Sequence, residues 1–202
     1  MLWAMLLEKY YLTHLPFPHI PVAPWMDSED FITYSMTHQL STPARLTLLY
    51  DGALVKLLRA LFLSDVSVEV KGQKEVSIGL EMAKFLDSRE GAAAIIRDAW
   101  LKCNEKRLVY AHTVIDTSSI GDPIKREINR KNKPVGTLLN DYNVPVMRDQ
   151  LSITQIKSDF LAEYFSIIED ILWARCYRLR SADGFNAAVL EVFSSDTWKT
   201  AS

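Results

Sequence analysis

Two charged side chains sit where strand periodicity calls for apolar ones. In "GFNAAVLEVFSSD", residues 184–196, alternation puts Ala187, Val189, Glu191 and Phe193 on one face of a strand and Ala188, Leu190 and Val192 on the other. Both faces are apolar, and an ionised carboxylate placed there costs on the order of several kcal/mol unless it is paired. In "IIRDAWLKC", Arg97 likewise shares its face with Ile95, Ala99 and Leu101. Two chemistries fit. Arg97 and Glu191 form a structural ion pair, or both line a sheet-walled pocket in which Arg97 grips a ligand carboxylate bidentately and Glu191 is a hydrogen-bond acceptor or general acid/base. Periodicity leaves both open.

Other reactive residue types offer less. The four histidines, His14, His19, His38 and His112, never fall at HxxH or HxxxH spacing, so no metal site is expected. Cys103 and Cys176 are the only two cysteines and belong to no CxxC pair. They have no local base to make a thiolate, which predicts buried thiols and a reducing cytoplasm. The dinucleotide, P-loop and nucleophile-elbow patterns are all missing from the sequence.

The elements that must position Arg97 and Glu191 are readable in part. "VSVEVKGQK", "IIRDAWLKC", "KRLVYAHTVID", "QLSITQI", "ILWARCYRLRS" and "NAAVLEVFS" read as strands, with hairpins expected at "NEKR" and "ADGF". Residues 44–63 read as two short helices joined at Asp51-Gly52, and "NKPVGTLLND" as a short helix entered through Pro134. The stretch "EVSIGLEMAKFLDSREGAAAI" reads as a helical or looped connection. The expected fold class is α+β, an antiparallel sheet of about six strands with helices on one side or end. Residues 14–25 carry four of the eight prolines and predict an extended arm lying over the domain surface. The division expected is thus an arm over residues 1–43 and a domain over residues 44–202.

Composition sets bounds on this reading. A chain of 202 residues that is 49% hydrophobic and 24% charged supports one sizeable core. A net charge of −2 without a long basic block disfavours nucleic acid and anionic membrane as partners. The opening "MLWAMLL" is short, lacks a basic lead and runs into Glu8 and Lys9, so it is read as a packed extension rather than a signal peptide or membrane span.

Taken in order, the Arg97 strand, "YAHTVI", "NKPVGTLL", "RDQLSI", "LWARCYRL" and "VLEVFSSD" resemble the chorismate lyase (chorismate–pyruvate lyase) family over residues 46–198, including its divergent cyanobacterial and algal-plastid branch. The resemblance implies a lyase that eliminates the enolpyruvyl group of chorismate to give 4-hydroxybenzoate and pyruvate with no metal or organic cofactor. It implies that Arg97 binds the ring carboxylate and that Glu191 meets the ring hydroxyl. "DGALVK" matches the start of the family's helix-turn-helix, which makes Leu54 an apolar ligand contact. Val135 is a second such contact, and Gly136 supplies backbone. Val55 and Lys56 depart from the usual Thr and Arg, Val135 from Leu, and His112 from an Arg of some bacterial members. "SMT" at Ser35–Thr37 looks like another family motif but lies too far upstream.

The expected partner is a small-molecule carboxylate substrate, the expected assembly a monomer or homodimer, and the compartment the cytoplasm, or the plastid stroma for an algal source. Two alternatives use the same pocket. One is an enzyme of a specialised pathway, lyase or cyclase, acting on another carboxylate. The other is a non-catalytic aromatic-acid-binding module, since ligand domains of some bacterial transcription regulators look similar.

Overall fold

The computed structural model describes residues 9–11, 14–118 and 120–199. The expectation for "MLWAMLL" lies outside the described residues. In chain order the elements are β1 (Ile20–Pro21), α1 (Ser28–Thr37), α2 (Thr42–Leu49), α3 (Leu54–Phe62), β2 (Val66–Ser77), α4 (Leu80–Leu86), β3 (Ala93–Cys103), β4 (Lys106–Asp116), α5 (Asp122–Arg130), α6 (Val135–Asp141), β5 (Met147–Lys157), α7 (Asp159–Phe165), β6 (Ile171–Arg180) and β7 (Asn186–Phe193). The strands form one antiparallel sheet in the order β1-β5-β6-β7-β4-β3-β2. This is the α+β fold expected. β7, which carries Glu191, is the central strand, flanked by β6 and β4.

Local chemistry accounts for several joints. β3 and β4 are joined by Asn104 and Glu105, both at positive φ (48° and 64°), the two-residue turn whose twist matches that of the strands. The two helices read from residues 44–63 appear as α2 and α3. Ser41 caps α2, accepting from the Ala44 amide. A Cβ on Gly52 in the joint would lie 2.5 Å from the Tyr50 ring, so a side chain there would require that ring to move. Pro134 takes the cap position of α6, one residue before the expected place. The connection after β2 resolves into the end of that strand, the seven-residue helix α4 and a turn. The helices α1, α5 and α7 lie in segments for which no element was expected.

The expectation of helices on one side or end of the sheet is corrected, because both faces are covered. On one face Ala188, Leu190 and Val192 of β7 join Phe85 and Leu86 of α4, Leu161 and Phe165 of α7, and Tyr10, Tyr11 and Phe17. On the other, Phe193 and Trp173 pack with Phe31 of α1 and with Leu54 and Leu58 of α3. Farther along that face, Ile128 of α5 and Leu138 of α6 cover Ile95, Ile115 and Val189. The apolar character of both sides of "NAAVLEVF" is the physical reason: a sheet apolar on both faces must be buried on both. The proline-bearing segment lies on the domain, where Ile20 and Pro21 pair with Lys157 and Ile156. Beyond it, Met26 and Phe31 are buried in the same cluster as Phe193.

Both cysteines are buried thiols. Burial pushes the Cys176 thiol up to about 12, and its Sγ lies 3.1 Å from the Tyr11 hydroxyl.

Phe31 is fully buried and meets Trp173 edge to face at 5.5 Å between ring centroids. Phe31→Ala is expected to lower unfolding free energy by about 3–5 kcal/mol. Denaturant titration measures this, and a loss below ~1 kcal/mol would show that α1 is not part of the cooperative core.

Candidate active site

The face of the sheet that bears Glu191, together with the first turns of α3 and α6, encloses a cavity of about 230 Å3. Strand register sets its floor. Ala99, Ala111, Glu191 and Arg175 stand opposite one another across β3, β4, β7 and β6, and Arg97, Thr113, Val189 and Tyr177 form the neighbouring row. The small side chains of Ala99 and Ala111 leave room beside Glu191, and all three line the cavity. α3 packs against α6, so the two helices close over the floor together.

Arg97 and Glu191 both line this space, but they are not ion-paired. Their strands are separated by β4, a distance of two strand spacings, or about 10 Å at the backbone. The partner of Glu191 is Arg175, whose Nε donates to Glu191 Oε2 at 2.6 Å. Arg175 is fully buried, and its Nη1 donates to the carbonyls of Thr47 (2.7 Å) and Tyr50 (2.7 Å) at the end of α2. The Tyr177 hydroxyl donates to the other carboxylate oxygen, Glu191 Oε1, at 3.0 Å. Burial, reinforced by the adjacent Glu191, raises the Tyr177 phenol well above its ordinary value, so it remains a donor. Glu191 is thereby an acceptor held in place by two donors.

Arg97 is 2% exposed. Its Nη2 donates to the Lys133 carbonyl at 2.6 Å, and its buried Nη1 has no hydrogen-bond partner among the described residues. Burial pulls its pKa down, though a guanidinium stays protonated at any ordinary pH. A buried cation with an unused donor is suited to a carboxylate.

Leu54, Val135 and Gly136 line the cavity as well, Leu54 from the first residue of α3 and the other two from the first turn of α6. A Cβ on Gly136 would meet nothing within 4 Å, so open space lies beside its backbone. The departures Val55 and Lys56 line the same space. His112 does not. It pairs through Nδ1 with Asp98 at 2.8 Å and contacts the rings of Tyr10 and Tyr11 on the opposite face of the sheet. "SMT" falls on α1, where Ser35 is buried and bonds the Ile32 carbonyl of its own helix.

The residues that sequence reasoning missed are Arg175, Tyr177 and Arg148. A signal for the first two was present: in "ILWARCYRLRS", alternation puts Arg175 on one face with Trp173, Tyr177 and Leu179, the same intrusion of charge that singled out Arg97. Four cationic side chains line the cavity, Lys56, Arg59, Arg97 and Arg148, against the single carboxylate of Glu191. Arg59 pairs with Asp65 and Glu191 with Arg175, which leaves three cations without a carboxylate among the described residues. Among those residues no group of three or more His, Cys, Asp or Glu side chains is arranged to hold a metal, and no helix is long and apolar enough to cross a membrane.

Comparison with known proteins agrees with this architecture. Among solved structures, PhnF from Mycobacterium smegmatis superposes with a TM-score of 0.59 at 10% identity, covering 98% of this chain and 96% of that one. The C-terminal domain of the histidine utilization repressor from Pseudomonas syringae gives 0.52 at 16% identity, covering 68% and 96%. At such identities the likeness concerns the fold alone. Among curated sequences, two proteins named "Probable chorismate pyruvate-lyase" match. The one from Nitrosospira multiformis is 27% identical over 109 residues, 54% of this chain and 59% of that protein. The one from Methylococcus capsulatus is 30% identical over 88 residues, 44% and 54%. The match thus spans a little over half the length of these relatives. The family model described as chorismate pyruvate-lyase Rv2949c-like matches residues 48–200, which takes in α3, α6 and every cavity-lining strand, and the chain belongs to that family.

Proposed function

We propose that the chain converts chorismate to 4-hydroxybenzoate and pyruvate. The observation that carries this reading is a mostly apolar cavity in which the buried, half-unpartnered guanidinium of Arg97 and the fixed carboxylate of Glu191 stand on strands two spacings apart. That spacing suits a ring with a carboxylate at one end and a hydroxyl at the other. The reaction is an elimination that balances without water. The ether bond at ring C3 breaks, the C4 hydrogen is lost, the ring becomes aromatic, and the enolpyruvyl methylene carbon gains a proton to give pyruvate.

Aromatisation supplies driving force, so the protein's task is to position the substrate and place charge. In this reading Arg97 holds the ring carboxylate. Glu191 receives a hydrogen bond from the C4 hydroxyl as electron density shifts through the ring. Because both of its oxygens already accept from Arg175 and Tyr177, the pairing favours the acceptor role over that of a proton carrier. Leu54 and Val135, on the two covering helices, exclude water from the departing group.

The direct test is to incubate the purified chain with chorismate while monitoring both products. Turnover no faster than spontaneous breakdown would overturn the assignment. Arg97→Ala is expected to reduce kcat/KM by roughly a hundredfold to a thousandfold, as for loss of a desolvated charge contact. Near-normal kinetics would remove Arg97 from substrate binding.

Glu191→Gln is expected to lower kcat by about tenfold to a hundredfold, the worth of a hydrogen bond to a charged acceptor. It also leaves Arg175 without its counter-ion, so a melting curve accompanies the kinetics. A folded Glu191→Gln variant with full kcat would exclude any role for the carboxylate in the reaction.

A further inference from the structure

Arg148 lines the cavity but has no part in the elimination. It stands on β5 opposite Leu179, at the flank of the sheet farthest from Arg97 that still reaches the cavity. Its guanidinium lies 5.7 Å from the centre of the Tyr177 ring, the same tyrosine that bonds Glu191. Its Nε is buried without a hydrogen-bond partner, and no carboxylate pairs with it among the described residues. The neighbouring acid, Asp149, is turned to the opposite face of the sheet, where it pairs with Arg178.

The sheet order supplies the argument. From β3 to β5 there are four strand spacings, about 19 Å at the backbone, with the strand of Glu191 at the midpoint. Two long arginines therefore enter one cavity from opposite flanks, and a carboxylate acceptor lies between them. The substrate proposed above has the same order along its length: a ring carboxylate, a C4 hydroxyl at the far end of the ring, and beyond it a second carboxylate on the C3 enolpyruvyl ether. We propose that Arg148 binds this second carboxylate and makes the cavity selective for dianionic over monoanionic aromatic acids. The inference rests on the chorismate reading. Lys56 also lines the cavity without a carboxylate partner, but it is exposed and no ring orients it, whereas Arg148 presents a planar fork aligned by Tyr177.

The selectivity has a functional consequence. Elimination separates the two carboxylates into different molecules, so the aromatic product loses the contact to Arg148 and keeps only the one to Arg97. A contact made by substrate and not by that product gives the site a means of discriminating between them.

The test compares two unreactive ligands that share a ring, 3-(carboxymethoxy)-4-hydroxybenzoate and 4-hydroxy-3-methoxybenzoate, by calorimetric titration at fixed ionic strength. The wild type is expected to bind the diacid at least about tenfold more tightly than the monoacid, the worth of one charged hydrogen bond. Arg148→Met is expected to abolish that preference while leaving monoacid affinity within about twofold of wild type, since a neutral side chain of similar length offers nothing to the second carboxylate. Arg148→Lys keeps the charge without the fork, should fall between the two, and provides the measurement if the methionine variant fails to fold. An undiminished diacid preference in the folded variants would overturn the assignment, as would an equal loss for both ligands. Wild-type binding of the monoacid with no preference for the diacid would sink the Arg148 proposal and leave the aromatic-acid pocket standing. Failure to bind either ligand would sink both.

Discussion

The arrangement around the cavity depends on one buried cation. Arg175 is fully enclosed, and burying an ion costs on the order of several kcal/mol unless its charge and donors are met. Here the charge is met and the donors are met in part, from two directions, while Nη2 has no hydrogen-bond partner among the described residues. Glu191 on the adjacent strand supplies the counter-ion, and the carbonyls at the end of α2 accept from Nη1. The end of α2 and the carboxylate are thus fixed relative to each other through one guanidinium. The carbonyl end of a helix carries partial negative charge, which suits the cation further. Glu191 therefore has its position set before any ligand arrives, which is how an acceptor contributes in a transition state without reorganisation at the moment of reaction.

The same strands build a second, separate polar system on the opposite face. Arg178, three residues beyond Arg175, pairs bidentately with Asp149 and donates to the Phe85 carbonyl, tying β5 and α4 to the sheet. His112 and Tyr110 both bond Asp98 there. Alternation along a strand sends neighbouring charged residues to different layers, so "RCYR" in β6 serves two faces at once. It also separates Arg97 from Asp98, adjacent in sequence and opposite in direction, and keeps the guanidinium that faces the cavity from being neutralised by its neighbour.

This explains what was legible in the sequence and what was not. Strand alternation was enough to place Glu191 and Arg97 on apolar faces and to suggest a shared cavity, because side-chain direction within a strand is a local property. Which charge pairs with which depends on strand order and register, and those are not local. Arg97 was the obvious candidate partner for Glu191, yet the ladder puts Arg175 directly opposite and β4 in between. A seven-residue helix is too short to show a stable 3.6-residue period of its own: α6 was legible only through Pro134, α4 was read as helix or loop and α7 was missed, each being held by burial rather than by propensity. That helices cover both faces could have been read from β7, whose two sides are apolar but for Glu191.

The groups proposed to recognise the ligand and the groups that enclose it belong to different kinds of element, which bears on how such a site can change. Arg97, Glu191 and Arg148 project from strands locked by ladder hydrogen bonds, and moving any of them requires moving the sheet. Val55, Lys56 and Val135, by contrast, belong to the first turns of α3 and α6. Substitutions there alter the volume and edge charge of the cavity while leaving the strand ladder intact. Arg97, Arg148 and Glu191 thus sit on the rigid sheet, while the first turns of α3 and α6 carry lining that can change without disturbing them.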